Sequence, residues 1–537
     1  MWDCTGSGTT KGEYQIISGR INDLAWDGDS QRLIAVGHGK EKFGHCITAD
    51  SGNSVGEIKG HTEQINCVSI RQQRPLRAAT AGDDMSTVFY HGAPFKFNTS
   101  FKRHQRFVYG LAFSPDGSTL VSVGADRKIF LYDGKTGEPK GEVGDGEHKG
   151  SIFGVSWSRD SKSFTTCSAD QTVKIWDVDA GKVVQSWRLN PEEGVVSIPD
   201  HQVGVVWPPG RSDDLLVSLA LSGDLNYLSP KSPKPVRVVH GHQKNATTIT
   251  KGTGADADDS QTLFTGSSDG RICSWSTSTG LASTIDGSGH TNYVSGLSAA
   301  DGVIKSVGWD DTLRSIDTAS TTFTDSHTET DGQPRGVATT STHTIVVTHK
   351  AITVLRSKDS QILKTLPTPP FSSTAVSVTE THAAVAADDS ILRIYSIPDL
   401  ELKHTFPAFP SAISCLSFSN PVAAVNEGKA YLAIGFTSGR ILVYTPTNHF
   451  AEAVISRWSA HTGRVTRIAW DEGARRAVSG GLDTNVFVWS VKKPGARVSV
   501  GSAHKEGVNG VTWVGEGKVA SVGGDGCIKV WAVDGVE

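Results

Sequence analysis

The sequence predicts an all-β protein assembled from repeats of one small antiparallel sheet. Three observations support this: a strand–turn–strand pattern in residues 148–178, histidines that recur with a period in the forties, and aspartates followed six residues later by an aromatic side chain. A single sheet of this kind cannot bury both of its faces, so the chain must contain several that pack on one another.

Residues 148–178 show the repeated unit most clearly. Phe153, Val155 and Trp157 alternate with glycine and serine, which is the period of a half-buried strand. Polar turns then separate two further strand-like runs, the last of which reaches Trp176 and ends on a Trp-Asp pair. The pattern predicts short antiparallel strands.

Two spacings repeat along the chain. Histidines lie 41 to 48 residues apart within the three runs His61, His104, His148; His201, His242, His290; and His461, His504. The six-residue interval joins Asp126/Tyr132, Asp170/Trp176, Asp269/Trp275, Asp389/Tyr395, Asp483/Trp489 and Asp525/Trp531. The two spacings stay in phase and resemble those of the WD-repeat family, whose repeats form four-stranded propeller blades.

Twelve repeats are predicted, beginning near residues 19, 61, 104, 148, 201, 242, 290, 333, 373, 411, 461 and 504. Because propellers typically have about four to eight blades, twelve repeats imply two tandem β-propellers. The candidate joints are loops near 237 and 285. The later joint is preferred, which places an N-terminal propeller at 1–285 and a C-terminal propeller at 286–537. The weakest repeats lie between 318 and 410.

Composition narrows the class of partner. The net charge is −4, and no run of lysine or arginine is long enough to follow a nucleic-acid backbone. No stretch approaches the roughly 18 apolar residues of a membrane span. The seven cysteines are scattered, which suits reduced core thiols. We therefore expect a soluble intracellular protein that binds neither nucleic acid nor membrane.

The histidines and aspartates invite a catalytic interpretation, in which His148, Ser168 and Asp170 would form a triad. The same set recurs with a tryptophan in several repeats, whereas an active site is needed once. In WD-repeat proteins such a set resembles a structural network of buried polar groups. We expect that network in His148/Asp170/Trp176, His461/Asp483/Trp489 and His504/Asp525/Trp531, and no catalytic, metal or cofactor site.

A more specific resemblance rests on residues 16–44 and 74–97, with the phrases EKFG, GDD and PFKF, and on FSPDG and YDGKTGE in 107–138. These stretches closely resemble the actin-interacting protein 1 family. The resemblance implies two seven-bladed propellers that bind actin filaments decorated by cofilin (or actin-depolymerising factor) and promote their severing, disassembly and barbed-end capping. It implies filamentous actin and cofilin as partners and a place in the cytoplasm at cortical actin structures, with a monomer as the default state.

The resemblance also marks four partner-binding positions. They are Glu41, Asp83, Phe97 and Phe107. The six-residue spacing assigns Asp84 to the structural network, which leaves Asp83 free to face a partner. Each position has a simpler alternative: a solvated hairpin charge for Glu41, a turn former for Asp83, and packing between blades for the two phenylalanines. A general scaffold in another intracellular complex also remains an alternative function.

The beginning of the chain departs from the family. Met1-Trp2-Asp3 resembles the end of a repeat, and about two repeats expected before it are absent from this sequence. Two closed seven-bladed rings need fourteen repeats, whereas twelve are visible. We therefore expect one or both rings to be open at a seam with exposed edge strands.

Overall fold

The structure is a computed structural model that describes residues 1, 11–189, 197–252, 262–368, 371–421, 428, 430–446, 449–515 and 517–535. Regular secondary structure in these residues consists of β-strands and one short 3-10 helix, η1 (Ile198–Asp200). The predicted all-β class is confirmed. Trp2 and Asp3, which the sequence assigns to the end of a repeat, lie outside the described residues.

The chain divides into two units, 1–239 and 240–537. The first contains five four-stranded antiparallel sheets among its described residues, each built in chain order. The strands are β1 (Arg20–Trp26), β2 (Arg32–His38), β3 (Gly44–Thr48), β4 (Ser54–Glu57), β5 (Ile65–Ile70), β6 (Arg77–Gly82), β7 (Thr87–His91), β8 (Lys96–Phe101), β9 (Val108–Phe113), β10 (Thr119–Gly124), β11 (Ile129–Asp133), β12 (Pro139–Val143), β13 (Ile152–Trp157), β14 (Ser163–Ser168), β15 (Thr172–Asp177), β16 (Lys182–Arg188), β17 (Gln202–Val206), β18 (Leu216–Ala220), β19 (Leu225–Leu228) and β20 (Arg237–Val239).

The described part of the second unit contains seven sheets, of which the last has three strands. The strands are β21 (Ala246–Lys251), β22 (Thr262–Ser267), β23 (Ile272–Ser276), β24 (Ala282–Thr284), β25 (Val294–Ala300), β26 (Val303–Gly308), β27 (Thr312–Asp317), β28 (Thr322–Glu329), β29 (Pro334–Thr339), β30 (His343–Thr348), β31 (Ala351–Arg356), β32 (Ile362–Pro367), β33 (Ser373–Val378), β34 (His382–Ala387), β35 (Leu392–Ser396), β36 (Leu402–Thr405), β37 (Ile413–Phe418), β38 (Leu432–Phe436), β39 (Ile441–Tyr444), β40 (Ile455–Trp458), β41 (Val465–Trp470), β42 (Arg476–Gly481), β43 (Val486–Ser490), β44 (Arg497–Val500), β45 (Val508–Gly515), β46 (Lys518–Gly523) and β47 (Ile528–Ala532).

The core lies between successive sheets. Between the third and fourth sheets, Trp157, Phe164 and Trp176 are buried together with Val121 and Val123 of the preceding sheet. The ring of Phe164 stacks on Trp176 at a centroid distance of 6.2 Å. Complete burial of one side chain of this size stabilises the fold by about 3 kcal/mol. Each sheet thus completes its core with side chains of its neighbour.

The innermost strand of each sheet carries a bulge at its second residue, or at its third in β1. In β5, for example, the register shifts between Ile65 and Cys67, which leaves Asn66 as the extra residue. A bulge re-aims one side chain out of the alternating pattern, and the Asn66 side chain donates to the backbone oxygen of Val108 in the next sheet at 3.0 Å. Equivalent bonds are Asn22→Ile65, Thr247→Val294, Ser295→Pro334, Ser414→Val465, Thr466→Val508 and Asn509→Ala246.

The second unit is a closed ring. The Asn509 side chain donates to the backbone oxygen of Ala246 at 2.8 Å, so the seventh sheet is bonded to the first. Ala246 and Ile249 also share a buried cluster with Val514 and Val522. Seven sheets therefore close around one axis without a seam in this unit.

The boundary between the units differs from the sequence-based one. The chain divides after Val239, at the loop near 237 that the sequence analysis ranks second, instead of after residue 285. The physical reason is that the sheet β21–β24 packs on β45 and on β25, both of which belong to the second unit. That sheet supplies the blade that closes the second ring.

The first unit has five sheets, and its two terminal inner strands differ from the others. Among the described residues, β1 packs on β5 and β17 packs on β13, but β1 and β17 do not pack against each other as neighbouring inner strands do. Apolar side chains on both terminal sheets are exposed, namely Ile21, Leu24, Trp26, Val206 and Leu219. Among the described residues, β1 and β17 therefore do not join the terminal sheets in the way that β45 and β21 do in the second unit.

The closing bond predicts a measurable loss of stability. We expect Asn509→Ala to lower the free energy of unfolding of the second unit by about 1–3 kcal/mol, because it leaves the Ala246 carbonyl without its inter-sheet donor. Asn245→Ala is the matched control, since Asn245 is exposed one residue before Ala246. Calorimetry of the full chain measures both. Equal destabilisation by the two variants would contradict a ring-closing role for Asn509.

Candidate functional site

The predicted histidine–aspartate network is formed in the fourth sheet. His148 Nδ1 lies 2.9 Å from an Asp170 carboxylate oxygen, and His148 Nε2 lies 2.8 Å from the Thr166 hydroxyl. Trp176 Nε1 donates to the same hydroxyl at 2.8 Å. The network joins the loop before β13 to β14, β15 and the turn between them, so one set of side chains fixes four segments of the blade.

The network recurs in both units with serine or threonine as the hydroxyl. The histidine, hydroxyl and aspartate are His61/Thr80/Asp84, His104/Ser122/Asp126, His290/Ser306/Asp310, His461/Ser479/Asp483 and His504/Ser521/Asp525. Trp489 and Trp531 donate to their hydroxyls as Trp176 does. The assignment of Asp84 to the network, made from spacing, agrees with these bonds.

The geometry of the network disfavours catalysis. Thr166 is 0% exposed, and its hydroxyl already contacts His148 and Trp176. In the catalytic interpretation Ser168 would be the nucleophile, but the Ser168 hydroxyl donates to the Gly150 carbonyl. A nucleophile must be reachable by substrate and free to lose its proton to the base. Neither hydroxyl meets both conditions.

The network aspartates are held in their charged form. Burial by itself raises the pKa of Asp170, but hydrogen bonds from His148, Thr172 and the Lys149 backbone outweigh it and hold that pKa well below its ordinary value. The pKa values of the equivalent carboxyl groups Asp84, Asp126, Asp310, Asp483 and Asp525 are lowered by the same balance. Hydrogen bonds to the charged form of a carboxyl group lower its pKa, so these aspartates stay ionised inside the blades.

One of the periodic histidines is not a network histidine. His148 precedes its inner strand by four residues, whereas His201 directly precedes β17. In the fifth sheet the buried polar cluster is instead formed by Gln202, whose side-chain oxygen accepts from the Ser218 hydroxyl at 2.9 Å and from Asn226 at 3.3 Å. The histidine spacing therefore located the fifth repeat correctly, but it pointed to His201 instead of Gln202, which forms the buried polar cluster.

The turns that carry the network aspartates lie at one end of the sheets. Because strands alternate in direction, the β2–β3, β6–β7 and β10–β11 turns and the segments that precede β5, β9 and β13 meet at this end of the first unit. Three of the four predicted partner-binding residues lie there: Glu41, Asp83 and Phe107. We call this end of the first unit the network end.

Asp83 is presented by two amide side chains. Gln64 Nε2 donates to one carboxylate oxygen at 2.6 Å and Asn66 Nδ2 donates to the other at 2.7 Å. Asp84 beside it points inward to His61. The Asp83 carboxylate is thus fixed in direction at the surface while it remains partly exposed.

Aromatic rings continue this surface. Phe107 is 46% exposed, its ring lies 6.5 Å from that of Tyr109, and Tyr109 lies 5.3 Å from Phe153. Asn66 Nδ2, which donates to Asp83 at 2.7 Å, also donates to the backbone oxygen of Val108, the residue between Phe107 and Tyr109, at 3.0 Å. Burial and the nearby Asp83 carboxylate raise the pKa of the Tyr109 phenol. The structure therefore brings Asp83 and Phe107 together through Tyr109.

The remaining two predicted residues lie apart from this group. Phe97 is 51% exposed on the outermost strand β8, where its ring covers Gly60 so closely that a Cβ there would meet Phe97 Cδ2 at 2.7 Å. Glu41 is exposed in the β2–β3 turn and forms no ion pair or side-chain hydrogen bond with the residues that the structure describes. Within the described ranges, no hydrogen bond, ion pair or ring contact joins Phe97 or Glu41 to Asp83.

Sequence reasoning missed Tyr109 and Phe153. Both are bulge residues of their inner strands, the position at which Asn66 and its equivalents bond to the next sheet. The signal was available: Tyr109 and Phe153 each stand five residues after a network histidine, where polar residues are the rule. Both rings are half-buried, and Phe153 packs against the apolar cluster that contains Trp207, so an aromatic ring packs where the polar residues form the inter-sheet bond.

Most of the described cysteines are buried. Cys46, Cys67, Cys167, Cys273 and Cys415 are buried, whereas Cys527 is exposed. Burial raises the pKa values of Cys46, Cys167 and Cys415 to about 12, so these thiols are poor nucleophiles. In the described ranges, no cluster of three or more His, Cys, Asp or Glu residues could hold a metal ion. No helix in those ranges is both long and apolar enough to cross a membrane.

These sheets and networks define a WD-repeat β-propeller protein. The WD domain, G-beta repeat family matches residues 95–133, 144–177, 233–276, 453–490 and 495–532. Four of the matches begin at the outer strand of one sheet and continue through three strands of the next sheet, and the match to 144–177 covers β13, β14 and β15. The matches fall in both units. The fold class expected from the sequence, tandem propellers of WD repeats, is thus confirmed.

Full-length similarity identifies the family. The chain is 40% identical to an uncharacterized WD repeat-containing protein of Schizosaccharomyces pombe, over 99% of this chain and 86% of that protein. It is 33% identical to Actin-interacting protein 1 of Drosophila melanogaster, over 100% and 85% of the two chains, and 36% identical to WD repeat-containing protein 1 of Xenopus tropicalis, over 99% and 86%. The chain belongs to the actin-interacting protein 1 family of WD-repeat proteins.

The network predicts that its central hydroxyl matters more than an exposed one. We expect Thr166→Val to lower the stability of the first unit by about 2–3 kcal/mol, because the buried Trp176 N–H and His148 Nε2 would lose their shared hydrogen-bond partner. Thr62→Val, at an exposed position in the same unit, is the control and should change little. Calorimetry distinguishes them. A Thr166→Val protein with an unchanged transition would show that the network does not stabilise the blade.

Buried histidines predict that stability falls in mild acid. Burial lowers the pKa of His242 to about 4 from 6.5, and burial also lowers the pKa values of His290 and His461. Between pH 6.5 and pH 4 the unfolded chain therefore binds more protons than the folded chain, so the free energy of unfolding decreases as the pH falls through this window. His242 contributes on the order of 3 kcal/mol to the decrease across this window, and His290 and His461 contribute in the same direction.

Urea unfolding of the full chain at pH 7.5 and pH 5 measures this effect. The unfolding midpoint should be lower at pH 5, and His242→Gln should reduce the difference because glutamine does not titrate. Equal midpoints at the two pH values would contradict the assignment of neutral buried histidines.

Proposed function

We propose that this chain binds actin filaments decorated by cofilin or actin-depolymerising factor and promotes their severing, disassembly and barbed-end capping. In this proposal the protein acts in the cytoplasm at cortical actin structures, as a monomer. The observation that carries the proposal is the 33% identity over the full chain to a protein named Actin-interacting protein 1. A second relative of that name, from Caenorhabditis elegans, is 32% identical over 99% of this chain.

The proposed mechanism requires no chemical step. A protein that binds the cofilin-decorated filament and its ends more tightly than the bare filament shifts the equilibrium towards short filaments, by an amount set by the difference between the two affinities. Equal affinity for both forms would shift nothing, however tight the binding. The selectivity for decorated filaments is therefore the quantity that matters.

The surface around Asp83 has suitable chemistry for such a contact. Asp83 offers a carboxylate that Gln64 and Asn66 hold in place, and Phe107 offers an exposed ring supported by Tyr109. Preordered side chains lose little conformational entropy on binding, aromatic anchors dominate many interfaces, and acids steer approach to a basic partner. Phe97 and Glu41 would extend the contact to the outer edge and to the neighbouring sheet.

A general scaffold in another intracellular complex is the alternative. Propellers offer similar surfaces to many partners, and fold does not decide among them. Co-sedimentation of the full chain with filamentous actin, with and without cofilin, separates the two functions. The proposal expects binding or disassembly that depends strongly on cofilin, whereas a scaffold of another complex would stay in the supernatant in both cases.

A four-residue variant tests the location of the contact. We expect the alanine variant of Glu41, Asp83, Phe97 and Phe107 to lose cofilin-dependent disassembly by at least about tenfold, since it removes the carboxylates and rings together.

The matched control removes two acids and two exposed apolar side chains elsewhere in the first unit, namely Glu138, Asp179, Val184 and Val236. Glu138 and Asp179 lie in turns at the opposite end of the sheets. Filament assays by light microscopy compare both variants with the unmodified chain. Normal disassembly by the first variant would place the contact elsewhere.

A further inference from the structure

A polar cleft of about 570 Å³ opens at the network end of the first unit, between the third and fourth sheets. Its walls come from three separate segments: the loop before β9, the β10–β11 turn and the loop before β13. Each segment contributes one cation, and these are Arg106, Arg127 and Lys149. None of the four partner-binding residues predicted from the sequence lines this cleft.

The solvent-facing side of the cleft carries an excess of positive charge. The side chains of Arg106 and Arg127 are exposed, and neither forms an ion pair or hydrogen bond with the described part of the chain. Lys149 Nζ donates only to the Gly146 carbonyl, at 2.6 Å. A chain with a net charge of −4 therefore keeps three cations together without a described acidic partner.

The one carboxylate in the lining is turned inward. The Asp126 side chain is 5% exposed, and its oxygens accept from His104 Nδ1 at 3.0 Å and from the Gln105 backbone N–H at 2.9 Å. Its negative charge is therefore engaged in the blade network. The charge that the cleft exposes to a partner is therefore positive.

The segments that carry the cations are bonded to the framework. The Lys149 N–H donates to Asp170 at 2.8 Å, the Ser151 hydroxyl donates to the Ala125 carbonyl at 3.4 Å, and the Ala125 N–H donates to the Phe107 carbonyl at 2.8 Å. The three segments thus hold one another in place before any ligand arrives. Such preorganisation lowers the entropic cost of binding.

We propose that this cleft binds an acidic polypeptide segment. A single phosphate would fill only a small part of the cleft, whereas three cations on separate segments can pair with carboxylates spaced along a chain. Arg106 directly precedes Phe107 in the chain, and the Phe107 carbonyl accepts from the Ala125 N–H of the cleft wall, so the cleft and the aromatic row share one loop. Resting on the proposed function, the acidic segment belongs to the cofilin-decorated filament, and the cleft is the electrostatic part of the same contact.

The cleft is tested first without filaments. A fluorescein-labelled hexaglutamate peptide is titrated with the full chain at low ionic strength, and fluorescence anisotropy reports binding. Arg106→Glu/Arg127→Glu should weaken binding by at least about tenfold, because it replaces attraction by repulsion. The control Lys182→Glu/Arg188→Glu makes the same change in net charge on the outer strand β16 and should alter binding by less than about twofold. Arg106→Gln/Arg127→Gln, which adds no charge, replaces the first variant if that one fails to fold.

Three results would overturn the proposal: equal peptide binding by the two charge-reversal variants, equal binding of hexalysine, or full displacement of the peptide by inorganic phosphate at a concentration that leaves the ionic strength unchanged. The last result would identify a small-anion site.

Co-sedimentation with cofilin-decorated filaments is the second arm. Loss of filament binding by Arg106→Glu/Arg127→Glu alone supports the link to the filament. Peptide binding by an unmodified chain that ignores decorated filaments would contradict the proposed function and the filament as the source of the segment, but leave the acidic-segment site standing.

Discussion

The packing of each sheet on its neighbours is the constraint on which the structure depends. A sheet of four short strands exposes two faces, and most of its apolar side chains find cover only in the adjacent sheets. The second unit satisfies this requirement by closure, because β45 packs on β21 and Asn509 bonds to Ala246. With the faces committed to packing, only the turns at the two ends and the outermost strands can present variable chemistry to partners.

The same constraint explains what the sequence could predict of the fold. The His148–Asp170 interval is visible because each blade needs a buried donor–acceptor set, so spacing marks the repeats. Where other side chains form the buried hydrogen-bonded set, the histidine spacing no longer marks the repeat. In the region 318–410, Asp389 pairs with Arg393 at 2.5 Å instead of with a histidine, and Gln202 replaces histidine in the fifth sheet. The unit boundary was not predictable from local pattern, because it depends on which distant sheet β21 contacts.

Likewise, only part of the candidate site could be predicted from the sequence. The outward direction of Asp83 followed from its neighbour Asp84, since two consecutive side chains cannot both enter the network. The positively charged cleft had no linear signature. Arg106, Arg127 and Lys149 lie in different turns, and only the packing of the third sheet on the fourth brings them together. Tyr109 needed knowledge of the bulge, which changes the direction of one side chain in an otherwise alternating strand.

The blade network also determines what each unit can present at its network end. Because every network aspartate is fixed inward, the residue before it is fixed at the turn surface and is free to vary. In the first unit that position holds Asp83, Ala125 and Ala169, whereas in the second it holds the exposed Trp309 and Leu482 and also Gly524. Trp309 stacks on Tyr293 at 4.4 Å, an apolar pair where the first unit has an acid beside an aromatic row. One structural device therefore gives the two units surfaces of different chemistry, and a partner that depends on charge is expected at the first.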